Sequence, residues 1–358
     1  MYEDLPNDGA AALSHWKVTF EAYLHGKADA AGLLREHLKN YPRHATAGAA
    51  LYFLGRTFEN AQDAAGARAC YDSLSRRLQN TYYGIQARER LAAPPVSGAT
   101  AAPEIEKFLA GLDFATANPI PSQGSHATAV RIDRSRLLRR AGLADLADTE
   151  LRFGARSEGD APLRAMEIAA NASAPHLGMR VMKIMSPEYL GLSLEQAPRK
   201  YWELLFPLPY RTELMSAARR VAVDPYLVAG LIRQESEFNP QAVSHASAYG
   251  LTQVRPGTGR QFARRAGVMR FTTGVLLQPA PNLKIGASIF RSMLDDHSGR
   301  LEETLASYNA GPRRASEWLS WNTYREPAEF VESIPFTETR DYVQAVLRNA
   351  DLYRRLYQ

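Results

Sequence analysis

The stretch LYFLGRTFENAQDAAGARACYDSL, residues 51–74, sets Leu51, Leu54, Gly55, Phe58, Ala67 and Tyr71 at helical spacings on either side of a polar break. In such a pattern small residues let two helices approach and aromatic rings fill the gap, the arrangement of a tetratricopeptide-type helical hairpin. Gln62 stands where a glycine would mark the turn. A weaker echo, AGLADLADTELRF at 141–153, repeats the offsets with Gly142, Ala147 and Leu151. Residues 12–93 are rich in alanine, leucine and aromatics with few β-branched runs, which reads as helix after helix. The N-terminal half is therefore expected to be a degenerate array of helix pairs, each burying its apolar face on a neighbour. An irregular helical domain without true repeats is the alternative.

At 358 residues the chain exceeds the size at which a single core stops growing, so two domains or an extended array are expected. Hydrophobic residues at 45% and charged residues at 23% are ordinary globular usage. The 43 basic against 38 acidic residues are too nearly balanced to imply nucleic acid, though a net +5 would suit an acidic polymer. The single cysteine, Cys70, excludes an intramolecular disulfide and a cysteine metal cluster, and reads as a small buried hydrophobe. MYEDLPNDGAAALSHW, residues 1–16, has no basic n-region or apolar h-region, and nowhere do about eighteen apolar residues run together. The chain is expected to be soluble, with any export signal already removed.

Pro, Gly, Ser and Ala mark residues 93–103 and 118–128 as loops. RIDRSRLLRR, residues 131–140, concentrates five arginines and reads as a solvated helix face. The segment 185–210, with prolines at 187, 198, 207 and 209, reads as the connection into a second domain, giving expected domains 1–198 and 199–358. Beyond residue 200 hardly a period-2 run is long enough for a strand, so the whole chain is expected to be mainly α.

Asp224-Pro225 is a strong helix start, and Asn239-Pro240 a stop, so a helix is predicted from Pro225 to about Ser236. Leu227, Val228, Leu231 and Ile232 form one apolar stripe along it, and Glu235 falls on that stripe while Gln234 and Glu237 point elsewhere. Partial burial and the C-terminal end of the helix dipole both disfavour a carboxylate there, so its pKa should rise. A carboxyl still protonated near neutral pH is what a general acid for a glycosidic oxygen requires. Periodicity alone leaves two other readings open, a helix end emerging into water and a carboxylate satisfied by a basic partner. The following SHASAYGLTQVRPGTG sets small and flexible residues around a polar Gln253 in an apolar run, a composition that suits a cleft wall. ASYNAGP places Tyr308, Asn309, Gly311 and Pro312 in a helix-ending turn.

ES-x-F-N-P at 235–240, S-x(5)-G-L-x-Q at 244–253, P-G-T at 256–258, YNAGP at 308–312 and FVESIPFTETRDYV at 330–343 occur in this order. Together they resemble the catalytic domain of the soluble lytic murein transglycosylases. Upstream, the alanine-rich helices ending in NTYYGIQARERLA are similar to that family's α-superhelical region. The resemblance implies a lysozyme-like, α-rich catalytic domain behind a helical superhelix. It implies Glu235 as sole catalytic acid/base, Ser244, Gln253, Tyr308 and Asn309 lining the sugar cleft, and Glu338 and Arg340 holding substrate, with Glu332 ranked behind them. The family usually carries methionine where this chain has Thr252 and Arg255, so the packing around an acetamido group or peptide stem is expected to differ.

The resemblance further implies cleavage of the β-1,4 bond between N-acetylmuramic acid and N-acetylglucosamine, with 1,6-anhydro ends and no added water. The competing readings are a lysozyme-type hydrolase, which needs two flanking carboxylates, and a non-catalytic peptidoglycan-binding scaffold. Asp295, Asp296, Glu302 and Glu303 read as exposed helix charges, which leaves Glu235 alone in its motif. The eight histidines are scattered, His245 has no partner at ligand spacing, and RPGTGR lacks the Walker lysine context. No metal, cofactor or nucleic acid is expected. The expected partner is the peptidoglycan glycan strand, met by a monomer in the periplasm or in peripheral association with the cell envelope.

Overall fold

The computed structural model describes residues 9–100 and 102–358. The leader reading therefore lies partly, and the loop reading at 101 wholly, outside the described residues. Among the described residues there are nineteen α-helices and no strand, and the mainly α class holds. The chain divides into two compact units, residues 1–117 and 118–358, so the boundary expected at 198/199 falls within the second unit.

The first unit contains α1 (Gly9–Leu24), α2 (Ala30–Asn40), α3 (Ala47–Asn60), α4 (Ala64–Arg77), α5 (Tyr82–Ala92) and α6 (Pro103–Ala110). Helices α1 to α5 pack successively, α3 on α4 most extensively, and α6 packs on α4. Their meeting shows why the sequence pattern works. A Cβ on Gly55 would lie 2.5 Å from the Tyr71 ring, so only glycine admits that ring, whose hydroxyl donates to Glu59 Oε2 at 2.6 Å. Gln62, in the turn between the two helices, adopts φ 61°, the left-handed conformation for which a glycine was the expected residue. Rings of Phe20, Tyr23 and Phe53 fill the space on the other side, with centroids 5.1 and 4.7 Å from that of Phe53.

The second unit opens with two further pairs, α7 (His126–Arg140) with α8 (Ala144–Ser157), and α9 (Ala161–Ala170) with α10 (Pro175–Met185). Ala147 and Leu151 are fully buried and Gly142 turns at φ 78°, as the second echo requires. Arg134, Arg136 and Arg140 of the arginine run are exposed, as a solvated face requires, but the run also makes ion pairs that draw Arg131 and Arg139 in. Arg131 pairs with Glu150 and Glu158, Arg136 with Glu167 and Arg139 with Asp148, so α7 is laced to α8, α9 and the turn between them. After α11 (Arg199–Leu205) come α12 (Arg211–Arg220), α13 (Pro225–Glu235), α14 (Pro256–Ala263), α15 (Pro279–Asp296), α16 (Leu301–Ala310), α17 (Pro312–Leu319), α18 (Pro327–Ser333) and α19 (Thr337–Tyr357). Glu302 and Glu303, expected as exposed charges, are not. Glu302 is 9% exposed, and Glu303 is drawn in by His297 Nδ1 at 3.2 Å and by Arg300.

Helices α13 and α19 form the spine of this part. A Cβ on Gly230 would stand 2.6 Å from the Val346 carbonyl oxygen and 2.9 Å from the Ala350 nitrogen, so the backbones touch. Leu227, Val228, Leu231 and Ile232 are all buried, each contributing about 1.5–3 kcal/mol, which outweighs drawing one carboxyl partly out of water. A second small core of Val254, Ala263, Ala266, Leu276, Ile285 and Ile289 supports the loop after α13.

Candidate active site

Helix α13 begins as predicted, the Asp224 side chain accepting from the Tyr226 N–H at 2.9 Å with Pro225 at its first position. It ends at Glu235, which is only partly exposed. Glu235 lies five residues beyond Gly230 and Tyr342 four before Val346, so contact at the glycine aligns the two helices antiparallel and brings the side chains together. The Tyr342 hydroxyl donates to Glu235 Oε1 at 2.5 Å. Burial raises the Glu235 carboxyl to about 7, with the Tyr342 hydrogen bond acting in the opposite direction. The phenol of Tyr342 is itself driven well up, first by burial and then by the carboxylate charge.

Glu235 opens on a cleft of about 450 Å³, lined also by Arg180, Lys183, Gln234, Glu237, Ser244 and Gln253. Gln234 and Glu237, expected to point away, therefore share the space with the acid. Helix α13 stops at Glu235, and Glu237 and Phe238 then take φ 52° and 64°, folding the chain back. Glu237 is held there from α10, accepting from Arg180 Nε at 2.5 Å and Lys183 Nζ at 2.6 Å. Burial alone would raise its carboxyl, but these two bonds outweigh it and keep the group below the usual carboxylate range.

The opposite wall is a loop pinned by isolated bridges from Tyr249 to Val243 and Val254. Ser244 closes its tip, its Oγ accepting from the Ala248 N–H at 3.1 Å. Gln253 holds φ 49°, and its Nε2 donates to the Gly250 and Ala242 carbonyls at 2.9 and 3.2 Å. Tyr308 donates to the Thr252 carbonyl at 2.8 Å, with its phenol pushed up by burial and then by the Glu235 charge. Asn309 accepts from Thr339 Oγ1 at 2.7 Å, which ties the end of α16 to the first turn of α19. Glu338, exposed, and Arg340, half-buried, lie on that same turn, outside the cleft lining. Glu332 is buried and accepts from Gln344 Nε2 at 3.2 Å, away from the acid's partners.

The expectation for Thr252 is corrected. It is fully buried, its N–H and Oγ1–H both donate to Asn282 Oδ1 at 2.9 and 2.7 Å, and it packs on Gly286. It thus faces the core and not the cleft, whereas Arg255 is exposed at the start of α14. Sequence reasoning missed Tyr342, although it sits in the quoted FVESIPFTETRDYV segment. It also missed Arg180 and Lys183, because nothing in a sequence links α10 to residue 237.

Comparison with known proteins finds two family matches and several relatives. Residues 214–331 match the family described as Transglycosylase SLT domain, and residues 333–358 the one described as Soluble lytic transglycosylase helical domain, a match that falls on the C-terminal helix. The soluble lytic murein transglycosylase of Salmonella typhimurium is 35% identical over 160 residues, 43% of this chain and 25% of the relative. The membrane-bound lytic murein transglycosylase C of Klebsiella pneumoniae is 28% identical over 199 residues, 50% of this chain and 53% of the relative. The chain thus spans 25% of the length of the first relative and about half of the second. Among solved structures, an inactive mutant of lytic transglycosylase Slt from Pseudomonas aeruginosa superposes with TM-score 0.72 at 23% identity, over 98% of this chain and 52% of that one. The 70 kDa soluble lytic transglycosylase of Escherichia coli gives TM-score 0.62 at 21% identity over the same shares, likenesses that speak to fold. Residues 214–331 are thus similar to the family described as Transglycosylase SLT domain, and the fold of the chain is like that of the solved soluble lytic transglycosylases.

Proposed function

We propose that the protein is a lytic transglycosylase of peptidoglycan, with residues 199–358 as its catalytic domain and Glu235 as sole acid and base. The observation that carries this reading is a partly buried carboxyl held near 7 at the wall of a polar cleft, with a phenol on its oxygen. Such a group is protonated in about half the molecules at neutral pH and can both give and take a proton. Glu235 gives its proton to the glycosidic oxygen as the bond to the muramyl C1 breaks, and the muramyl acetamido oxygen closes on C1. The Glu235 carboxylate then removes the proton of the C6 hydroxyl, O6 bonds to C1, and the acetamido group is released. Every atom of the substrate is retained and no water enters. Both steps are intramolecular in the muramyl unit, so holding that ring accounts for much of the rate. Ser244, Gln253, Tyr308, Asn309, Glu338 and Arg340 are the proposed substrate contacts. The named substrate of the relatives supports a place in the periplasm or at the cell envelope. A Glu235→Gln variant, isosteric but unable to cycle a proton, is expected to lose at least about a thousandfold in wall lysis. Full lysis by that variant would overturn the assignment.

A further inference from the structure

We propose that Arg233 is a positioning residue for the acid, fixing the last turn of α13 to the turn 205–207 that follows α11. The inference rests on the reading of Glu235 as the acid. Arg233 lies two residues before Glu235 and is 5% exposed, a place where an apolar side chain would pack at lower cost than a guanidinium. No carboxylate among the described residues pairs with it. Its Nη1 instead donates to the Leu205 carbonyl and to Met179 Sδ, and its guanidinium lies 3.9 Å from the centre of the Phe206 ring. As the last residue of α11, Leu205 has a carbonyl left without a partner inside that helix. A buried cation satisfied in this way adds little to stability. What it supplies is direction, because a planar fork must meet the carbonyl and the ring together.

The turn that Arg233 grips is shared with α19. The next two carbonyls, of Phe206 and Pro207, accept from the Tyr357 hydroxyl at 2.7 Å and the Tyr353 hydroxyl at 3.0 Å. Three successive carbonyls thus take one donor from α13 and two from α19, the helices that carry Glu235 and Tyr342. The Tyr353 ring also meets the rings of Phe206 and Phe238 edge-on, with centroids 5.5 and 6.1 Å away. Phe238 is buried three residues beyond Glu235, so the acid stands between two anchors on one aromatic group. Helix α10, which offers Met179 to Arg233, adds a third anchor by holding Glu237 with Arg180 and Lys183. These helices lie upstream of the segment 214–331, yet their contacts converge on the stretch 233–238 that bears the acid.

The test is steady-state cleavage of soluble murein strands by the full chain over a range of pH, with the folded fraction read by circular dichroism. Arg233→Met keeps an apolar stem on Phe206 but cannot donate to the Leu205 carbonyl. It is expected to lower kcat at least about tenfold while KM changes less than about twofold, because the acid is misplaced and the substrate contacts are not. The Glu235 carboxyl takes its upward shift from burial, so a loosened last turn that admits water should also move the falling limb of the pH–rate profile to lower pH. Arg233→Lys, which keeps a donor for the carbonyl, should recover most of the rate and the wild-type limb. Phe206→Leu, which takes the ring from under the guanidinium, is expected to act in the same direction with a loss of about threefold, so the claim is read even where Arg233→Met does not fold. Wild-type kcat and an unmoved limb in folded Arg233→Met, or in Phe206→Leu where Arg233→Met does not fold, overturn the positioning role and leave the assignment of Glu235 intact. Full lysis by Glu235→Gln overturns both.

Discussion

The Tyr342 hydroxyl stands 2.5 Å from Glu235 Oε1 and is the donor in that contact. It stabilises the anion more than the acid, so it holds the Glu235 pKa below where burial alone would put it. If the protonated carboxyl starts the reaction, activity falls as pH rises through about 7. Tyr342→Phe removes the bond and raises the pKa further, by about one on the pH scale for a hydrogen bond to a charged group. The falling limb of the pH–rate profile should move upward and the maximal rate should drop. An unmoved limb would contradict the role given to Tyr342.

Glu237 neutralises part of a cleft that otherwise presents Arg180 and Lys183 to the acid. Glu237→Gln makes the space more positive, favours the Glu235 anion and lowers its pKa, so the falling limb should move to lower pH by roughly half a unit. The displacement should shrink in high salt. Because Arg180 and Lys183 are largely exposed, unfolding stability should change by less than about 1 kcal/mol. A shift toward higher pH would show that the clamp acts otherwise.

Gly230 sets the distance between α13 and α19. With backbone atoms 2.6 and 2.9 Å from a Cβ, Gly230→Ala must push the helices apart. The cost should exceed about 2 kcal/mol in urea unfolding, and lysis should fall because Glu235 and Tyr342 separate. A variant with unchanged stability would mean that the helices tolerate the extra methyl group.

In the first unit, His37 is fully buried, with His15 Nδ1 at 3.2 Å and Thr46 Oγ1 at 2.7 Å. Burial, then the His15 and His44 charges, lower it from 6.5 to about 3, so the folded protein keeps it neutral. The unfolded chain binds the proton and the folded chain does not, so stability is lost as pH falls below about 6.5. At pH 5 the loss is about 2 kcal/mol, read as a lower denaturation midpoint than at pH 7.5. A His37→Asn variant should lose stability at both pH values but show a flatter pH dependence.

Local patterns in the sequence carried the helices and the acid because both depend on near neighbours. Gln62 at its turn, the Asp224 cap and the stripe leading to Glu235 are statements about residues a turn or two apart, and Gly55 with Tyr71 is a pairing across one short hairpin. What remained hidden depends on distant contacts. Glu237 looked outward because helical periodicity was carried past a helix that ends at Glu235, where two left-handed residues reverse the chain. Thr252 was read as a cleft residue beside Gln253, yet the bond to Asn282, thirty residues on, turns it into the core. Glu303 is the exception, since its partners Arg300 and His297 lie three and six residues back and were within local reach of the sequence.

The central claim is that one carboxyl cuts the strand without water, and the masses of the new ends test it most directly. Murein digested by the protein in heavy-oxygen water should yield 1,6-anhydromuramic ends, lighter by one water than reducing ends and free of the heavy isotope. Hydrated ends carrying heavy oxygen would contradict the account and assign the protein to the hydrolases.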